Sequence, residues 1–475
     1  MDAWKPAGCF GEERMKDGPF PVKPLQMIRI SVILRTLILC TVIFGNGTVP
    51  ALSAQVRKDL TTREITLSEL IALAKRNNLE LKQIQKDSSI AVENVKSAKL
   101  AKAPYLSVGG YYNYILNPVL FRDFYSNDTV IPYYHHQTNW SIVAGIPIYM
   151  GGRIKTEIAQ SEVVRELQNG NLKLSDNQLK LSMITQFYSL FKLYREVEII
   201  EENIVSVRKN IRQIESRVAN GQNLVSDLSR TQLQLSGFEV DVFKAWNNID
   251  LLSNYLCIQA GLPTSTRLIP VEVSISIPED SLDFNQCLED ALTNRVEIRQ
   301  SELQRNYSAL SLKTTRSFYK PYISGNAMYT TNFPVPGTFP PQTDILNYGA
   351  VGIGLTYDLS SIYNLRHRIQ ADQLQVEKDD INITQVKNYI DQELKAAYVK
   401  YLESKTNVET YRKNVDLAEL NYRITKSKYD NDFALIIDMI DAELQVNDSK
   451  LSLNKAIIET IVQYYNLQYA KGKLN

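Results

Sequence analysis

The chain is 475 residues long, with 53 basic and 52 acidic side chains for a formal net charge of +1. That balance argues against a nucleic-acid partner, which calls for a basic excess on one face. Three histidines (His135, His136, His367) and four cysteines leave little material for a metal or haem centre, so no cofactor is expected. Proline is absent between Pro147 and Pro263 and again after Pro341, and long proline-free tracts of ordinary charged composition point to very long helices rather than a compact enzyme.

The N-terminus carries the marks of an export signal over residues 1–54. Lys23, Arg29 and Arg35 precede an apolar run from Thr36 to Gly45, and small residues follow up to Ala54, so cleavage there leaves Gln55 first. Residues 1–26 do not resemble a basic n-region, which makes Met27 an alternative start. Cys40 follows Leu39, too large a residue for a lipidation signal. The apolar run is too short for a permanent membrane helix, and no other segment reaches about 18 uninterrupted apolar residues. An exported chain of this kind enters a membrane only as a β-barrel.

The remainder repeats itself. Ala74, Asn77, Glu80, Pro104, Tyr105, Ser107 and Tyr112 recur as Ala291, Asn294, Glu297, Pro321, Tyr322, Ser324 and Tyr329 at one constant offset. Leu224, Asp227, Leu233 and Gln234 recur as Leu435, Asp438, Leu444 and Gln445 at a slightly smaller one. Two structural repeats are therefore expected, 55–262 and 282–475, joined by a proline-containing linker over 263–281. Cys257 and Cys287 flank that linker, either as a disulfide or as two small buried thiols.

Each repeat reads as helix, strand, loop, strand, very long helix, tight turn and returning helix. The first helix is expected near Leu67–Ala103, stopped by Pro104. A hairpin over about 105–150 follows. It has Leu106, Val108, Tyr112 and Tyr114 on one face, and Trp140, Ile142, Ala144, Ile146 and Ile148 on the partner strand. Ser107, Gly109, Asn113, Asn139, Ser141 and Gly145 take the other face. The second hairpin, about 321–358, alternates likewise: Ile323, Ala327 and Tyr329 against Ser324, Asn326 and Met328, then Val351, Ile353 and Leu355 against Gly352 and Gly354. Segments of about ten residues with apolar and small-polar faces are the pattern of transmembrane barrel strands. The loops between them are polar, and His135 and His136 read there as a loop pair rather than a metal site.

The helical tracts keep a 3.5-residue rhythm, the signature of coiled-coil packing. Val197, Ile200, Ile204, Val207, Ile211, Ile214 and Val218 mark the first; Leu228, Thr231, Leu235, Phe238, Val242, Ala245, Ile249, Leu252 and Leu256 the return; Val408, Tyr411, Val415, Ala418 and Tyr422 the third. The turns fall near 219–226, where Gly221 ends a helix, and near 429–437. A continuous helix from Gly152 to Asn220 would be on the order of 100 Å long, several bilayer thicknesses. Four strands cannot close a barrel, because the smallest bacterial outer-membrane barrels use about eight. Several copies must then share one barrel under cyclic symmetry.

With the repeat, the export signal, the Ala-x-x-Asn-x-x-Glu start of each half, Pro104 and Pro321 opening the strands, and Gly145-Ile-Pro-Ile-Tyr-Met-Gly-Gly at the strand-to-helix crossing, the chain resembles the TolC family of outer-membrane efflux proteins. The second crossing, Thr356-Tyr-Asp-Leu-Ser-Ser, departs by lacking paired glycines. The resemblance implies an α+β membrane protein of a Gram-negative outer membrane, with a periplasmic extension. It implies a homotrimer whose twelve-stranded β-barrel, four strands per chain, continues as an α-helical coiled-coil barrel with iris-like tips. Its partners would be a periplasmic adaptor protein, an inner-membrane transporter and outer-membrane lipid, with no nucleic acid.

By the same resemblance Asp438 and Asp441 would ring the periplasmic entrance, with Asp227 and Tyr429 completing the constriction. Asn220, Gly221, Asn431 and Asp432 would form the coiled-coil tip that meets the adaptor. Asp432 stands where a second glycine is expected and Ala434 where some members carry a gate arginine, so the expected closing network is one ionic link short. The spacing alone puts Asp438 and Asp441 on one helix face. Under threefold symmetry they would form carboxylate rings that attract cations; near a helix start they also serve simply as solvated charges favoured by the dipole. No phosphate-cradling loop, zinc-protease motif or nucleophile elbow is present, so an enzyme is not expected and transport must be passive or driven by a partner. A secreted or periplasmic coiled-coil adaptor or rod is the alternative; it accounts for the heptads but not for the strands.

Overall fold

The computed structural model describes residues 61–122, 127–131, 133–273, 283–338 and 342–474. The expected export signal, the Met27 start and Cys40 lie outside these residues, as does the linker beyond residue 273. In chain order the elements are β1 (Thr61–Ile65), α1 (Leu67–Asn77), α2 (Leu79–Leu100), β2 (Tyr105–Tyr114), β3 (Val119–Arg122), β4 (Asn127–Val130), β5 (His136–Met150), α3 (Arg153–Ala219) and α4 (Val225–Ala260). There follow β6 (Thr266–Pro270), α5 (Phe284–Asn294), α6 (Val296–Ser317), β7 (Tyr322–Phe333), β8 (Leu346–Thr356), α7 (Ser361–Asp430) and α8 (Ile436–Ala470). The helices of the two halves match in length: 11, 22, 67 and 36 residues against 11, 22, 70 and 35.

The long helices form where the heptads are. In α3, Val197, Ile200, Ile204, Val207, Ile211 and Ile214 are all buried, and in α4 so are Thr231, Ala245, Ile249 and Leu256. Helix α3 packs against α4 and α7 against α8, and α3 also lies along α8, joining the two hairpins. At 1.5 Å per residue the 67 residues of α3 extend about 100 Å. Among the described residues no helix is long and apolar enough to cross a membrane.

Four strands form one antiparallel sheet in the order β2-β5-β7-β8. The register seats Val108 opposite Ile142, Ile142 opposite Tyr329, Ala144 opposite Ala327, and Ala327 opposite Val351. Cross-strand partners share a face, so the apolar residues expected on one face do lie together there. The other face is lined by pairs such as Ser141–Thr330, Asn139–Asn332 and Asn326–Gly352. The apolar face is uncovered: Val351 is 89% exposed, Ile353 77% and Leu106 72%. Among the described residues both outer strands pair on one side only, β2 with β5 and β8 with β7.

The structure differs from the sequence reading at three places. The helix expected near Leu67–Ala103 breaks at Asn78, which is extended (ψ 126°), and α2 restarts with Asn78 Oδ1 accepting from the Leu81 amide at 2.8 Å. Asn78 Nδ2 donates to Gln259 Oε1 at 2.6 Å and Asn77 Nδ2 to the Ala260 carbonyl at 2.7 Å, which ties the break to the end of α4. Arg295 plays the corresponding part between α5 and α6. It is buried, holds Glu297 and Glu393 at 2.7 and 2.8 Å, and donates to the Ala470 carbonyl at 3.3 Å. Second, the linker contains β6, which pairs in parallel with β1 across 205 residues, Thr61 opposite Thr266. Third, the loop expected between β2 and β5 contains the small β3–β4 hairpin. Cys257 and Cys287 are two free, buried thiols, in separate apolar clusters.

The strand-to-helix crossings are solved differently in the two halves. Gly151 and Gly152 have φ of +64° and +92°, and a Cβ at Gly151 would stand 2.6 Å from the Ser317 carbonyl, so glycine is required there. In the second half Asp358 Oδ1 accepts from the Ser360 amide at 3.0 Å and the Ser360 hydroxyl at 2.6 Å, an Asx turn that starts α7 without glycines.

Candidate functional site

At the far end of the hairpins the α3–α4 and α7–α8 turns have the same geometry. After α3, the Gly221 amide bonds to the Val218 carbonyl at 3.0 Å and the Gln222 amide to Arg217 at 2.8 Å. After α7, Asp432 bonds to Tyr429 at 3.0 Å and Phe433 to Lys428 at 2.8 Å. Both turns place one residue in the left-handed region, Gly221 at φ +71° and Asp432 at φ +62°. Asn220 and Asn431 are the exposed residues just before, and Asn431 Nδ2 donates back to the Ser427 carbonyl at 2.7 Å.

Asp227 and Asp438 occupy equivalent places in the first turns of α4 and α8. Each accepts a backbone amide through Oδ2, Asp227 from Leu224 at 3.2 Å and Asp438 from Leu435 at 3.1 Å. Their own amides donate back to the Leu224 and Leu435 carbonyls, both at 3.1 Å. Each carboxylate thus satisfies a donor the helix leaves open and complements its dipole. Asp438 and Asp441 share an exposed face of α8 that continues through Gln445 and Asp448.

Tyr429 is buried, 6% exposed, in a tip cluster with Ile214, Ile436, Met439 and Ile440. Its hydroxyl accepts from Asn223 Nδ2 at 3.3 Å, and the guanidinium carbon of Arg217 stands 4.7 Å over its ring. Arg217 Nη1 also donates to Asp432 Oδ1 at 3.0 Å. An ionic link therefore joins the two turns, although Ala434 carries no charge. A recess of about 640 Å³ between the hairpins brings Asp227, Tyr429 and Asp432 together with Arg217 and Arg230. Asp441 lies apart, beside Tyr411, Asn414 and Asp448.

Sequence reasoning passed over Arg217 and Glu443. Arg217 had a local signal, a cation in the last turn of a helix where the carbonyl ends attract it. Glu443 sits in the buried seam of α8, where Ser206 Oγ donates to it at 2.6 Å and Asn210 Nδ2 at 3.0 Å. Its signal was a carboxylate one heptad after Ile436, on the buried helix face that Ile440 and Val446 share.

No protein-family model matches the chain. Outer membrane efflux protein BepC of Brucella suis biovar 1 (strain 1330) is 18% identical over 410 residues, covering 86% of each chain. Outer membrane protein TolC of Salmonella enteritidis is 18% identical over 425 residues, covering 86% of this chain and 82% of that one. Among solved structures, the Campylobacter jejuni CmeC outer membrane channel matches with a TM-score of 0.73 at 12% identity, covering 86% of both chains. The outer membrane protein VceC of Vibrio cholerae matches at 0.69 and 14% identity, covering 86% of this chain and 96% of that one. In sequence and in fold, across 86% of its length, the chain is similar to TolC-family outer-membrane efflux proteins.

Proposed function

We propose that this protein is the exit duct of a tripartite efflux or secretion system, seated in the outer membrane and reaching through the periplasm. Three copies share a twelve-stranded barrel, and their helical hairpins form one tunnel below it. The single observation that carries this reading is the β2-β5-β7-β8 sheet, which has an uncovered apolar face and two unpaired edges. In water that face costs apolar hydration, and in lipid the edges cost unpaired amides and carbonyls. Edge-to-edge closure with further copies removes the second cost, and lipid removes the first. The matched element lengths of the two halves support the two-repeat organisation.

Flow through such a duct is passive. The energy comes from an inner-membrane transporter, the opening from a periplasmic adaptor that meets the turns at Asn220–Gly221 and Asn431–Asp432, and the choice of cargo from the pump. Asp438 and Asp441 line the entrance as stacked carboxylate rings, with Asp227 and Tyr429 at the closing contact between hairpins. The rival coiled-coil rod leaves the exposed sheet without a purpose. Light scattering in detergent tests the reading: a trimer is expected, and a monomer that stays in solution without detergent overturns it.

A further inference from the structure

Away from the turns, the contact between the two hairpins holds a group that apolar packing does not call for. Glu443, two turns into α8, is 5% exposed and hydrogen-bonded to neutral donors on α3, Ser206 at 2.6 Å and the buried Asn210 at 3.0 Å. These partners are 237 and 233 residues away in the chain, so the carboxyl bridges the two halves. Asn203 of α3 and Asn447 of α8 extend the polar patch, and each has a buried Nδ2 without an acceptor. A leucine in this seam would pack at no electrostatic cost, whereas a buried ionised carboxylate with neutral partners is expensive.

The surroundings leave the carboxyl within reach of protons. A recess of about 610 Å³ opens beside it between the hairpins. From α7 it is faced by Tyr422, Lys426, Arg423, Asp430 and Glu419, and from α8 by Lys450, which pairs with Glu419 at 3.1 Å. From α3 the recess is faced by neutral Asn203 and Ser206. Burial pushes the Glu443 carboxyl above its ordinary 4.5, partly offset by Ser206, Lys426 and Asn210. Burial and the Glu443 charge together push the Tyr422 hydroxyl up.

We propose that Glu443 is a proton-loaded tie between the hairpins: neutral, it holds α8 on α3, and loss of its proton loosens the second hairpin beside the tip. In the neutral form Ser206 Oγ can accept from the Glu443 hydroxyl while Asn210 continues to donate to the other oxygen. The docked state binds the proton more tightly than the undocked state. Docking is therefore strongest at and below pH 4.5, weakens as pH rises through the docked-state value, and is level above it. Within that window one linked proton changes the undocking constant by up to about tenfold per pH unit. The consequence for opening rests on the exit-duct reading; the docking equilibrium does not.

The test uses the full chain in detergent with spin labels at Ser216→Cys on α3 and Ser427→Cys on α7, diluted with unlabelled chain so that distances within one chain dominate. Both sites are exposed, the native thiols Cys257 and Cys287 are buried, and Cys9 and Cys40 are replaced by serine. The long-distance population should grow as pH rises from 4.5, and should stay small and constant in Glu443→Gln. A population that ignores pH in the native background, or a Glu443→Gln variant that titrates like the native chain, overturns the proposal. As a second readout on the unsubstituted chain, a protonated-carboxyl infrared band should persist above pH 4.5 and fade in step with undocking. A band already lost at pH 4.5 is equally fatal. A monomer that stays in solution without detergent would sink the exit-duct reading and leave this distance change standing.

Discussion

Arg217 on α3 is bonded to Asp432, the left-handed residue of the other hairpin's turn, with Nη1 3.0 Å from Oδ1. Asp432 exposes 79% of its side chain, so the ion pair itself is worth only about 0.2–1 kcal/mol. Holding Asp432 at φ +62° costs about 1 kcal/mol, the low end for a non-glycine residue because Asp visits this region more readily than most. Strain and ion pair thus nearly cancel, and what Asp432 contributes is connection between hairpins rather than stability.

Asp432→Gly should accordingly leave global stability unchanged within about 1 kcal/mol while freeing the tip. Amide exchange at the ends of α3 and α7 should accelerate, and Arg217→Gln should accelerate it further by also removing the stack on Tyr429, worth about 0.5–1 kcal/mol. Thermal melts and hydrogen exchange measured together decide this. Unchanged exchange in both variants would show that the turns are not coupled through Arg217.

Asp438 serves two purposes that substitution can separate. Asp438→Ala removes the acceptor for the Leu435 amide and should cost about 0.3–1.5 kcal/mol, as should Asp227→Ala at its equivalent. Asp438→Asn keeps a side-chain oxygen there and removes only charge. Paired with Asp441→Asn, it should weaken block of single channels by multivalent cations without lowering the melting temperature by more than a few degrees. Block at native strength in the double asparagine variant would take both residues out of the constriction.

Gly221 is required for its φ of +71° and not for space, since a Cβ there would meet nothing within 4 Å. Asn and Asp visit that region at lower cost than branched residues, and the equivalent position already carries Asp432. Gly221→Asn should therefore fold and close normally, while Gly221→Val should destabilise the turn by roughly 1–2 kcal/mol. Chemical denaturation of the two variants side by side would reveal it; equal midpoints would mean that the turn rearranges to escape the left-handed geometry.

What the sequence determined alone is whatever repeats over a few residues. Heptads placed α3, α4 and α7, the internal repeat placed α8, and alternation assigned Val108, Ile142, Ala327 and Val351 to one sheet face, because the heptad and alternation patterns follow from backbone periods of 3.5 and 2. The tip turns were readable at Gly221 and, by their common spacing, at Asp227 and Asp438. The break at Asn78 was within reach too, as an asparagine cap with Glu80 in the next turn, but an unbroken apolar rhythm concealed it. Tertiary structure alone decided the parallel pairing of Thr61–Ile65 with Thr266–Pro270, the meeting of β5 with β7, the bond between Arg217 and Asp432, and the burial of Glu443 against Ser206 and Asn210. Each joins residues some two hundred positions apart. A local period says which face of a helix or strand is apolar, but only the packed chain says which distant polar group that face will meet.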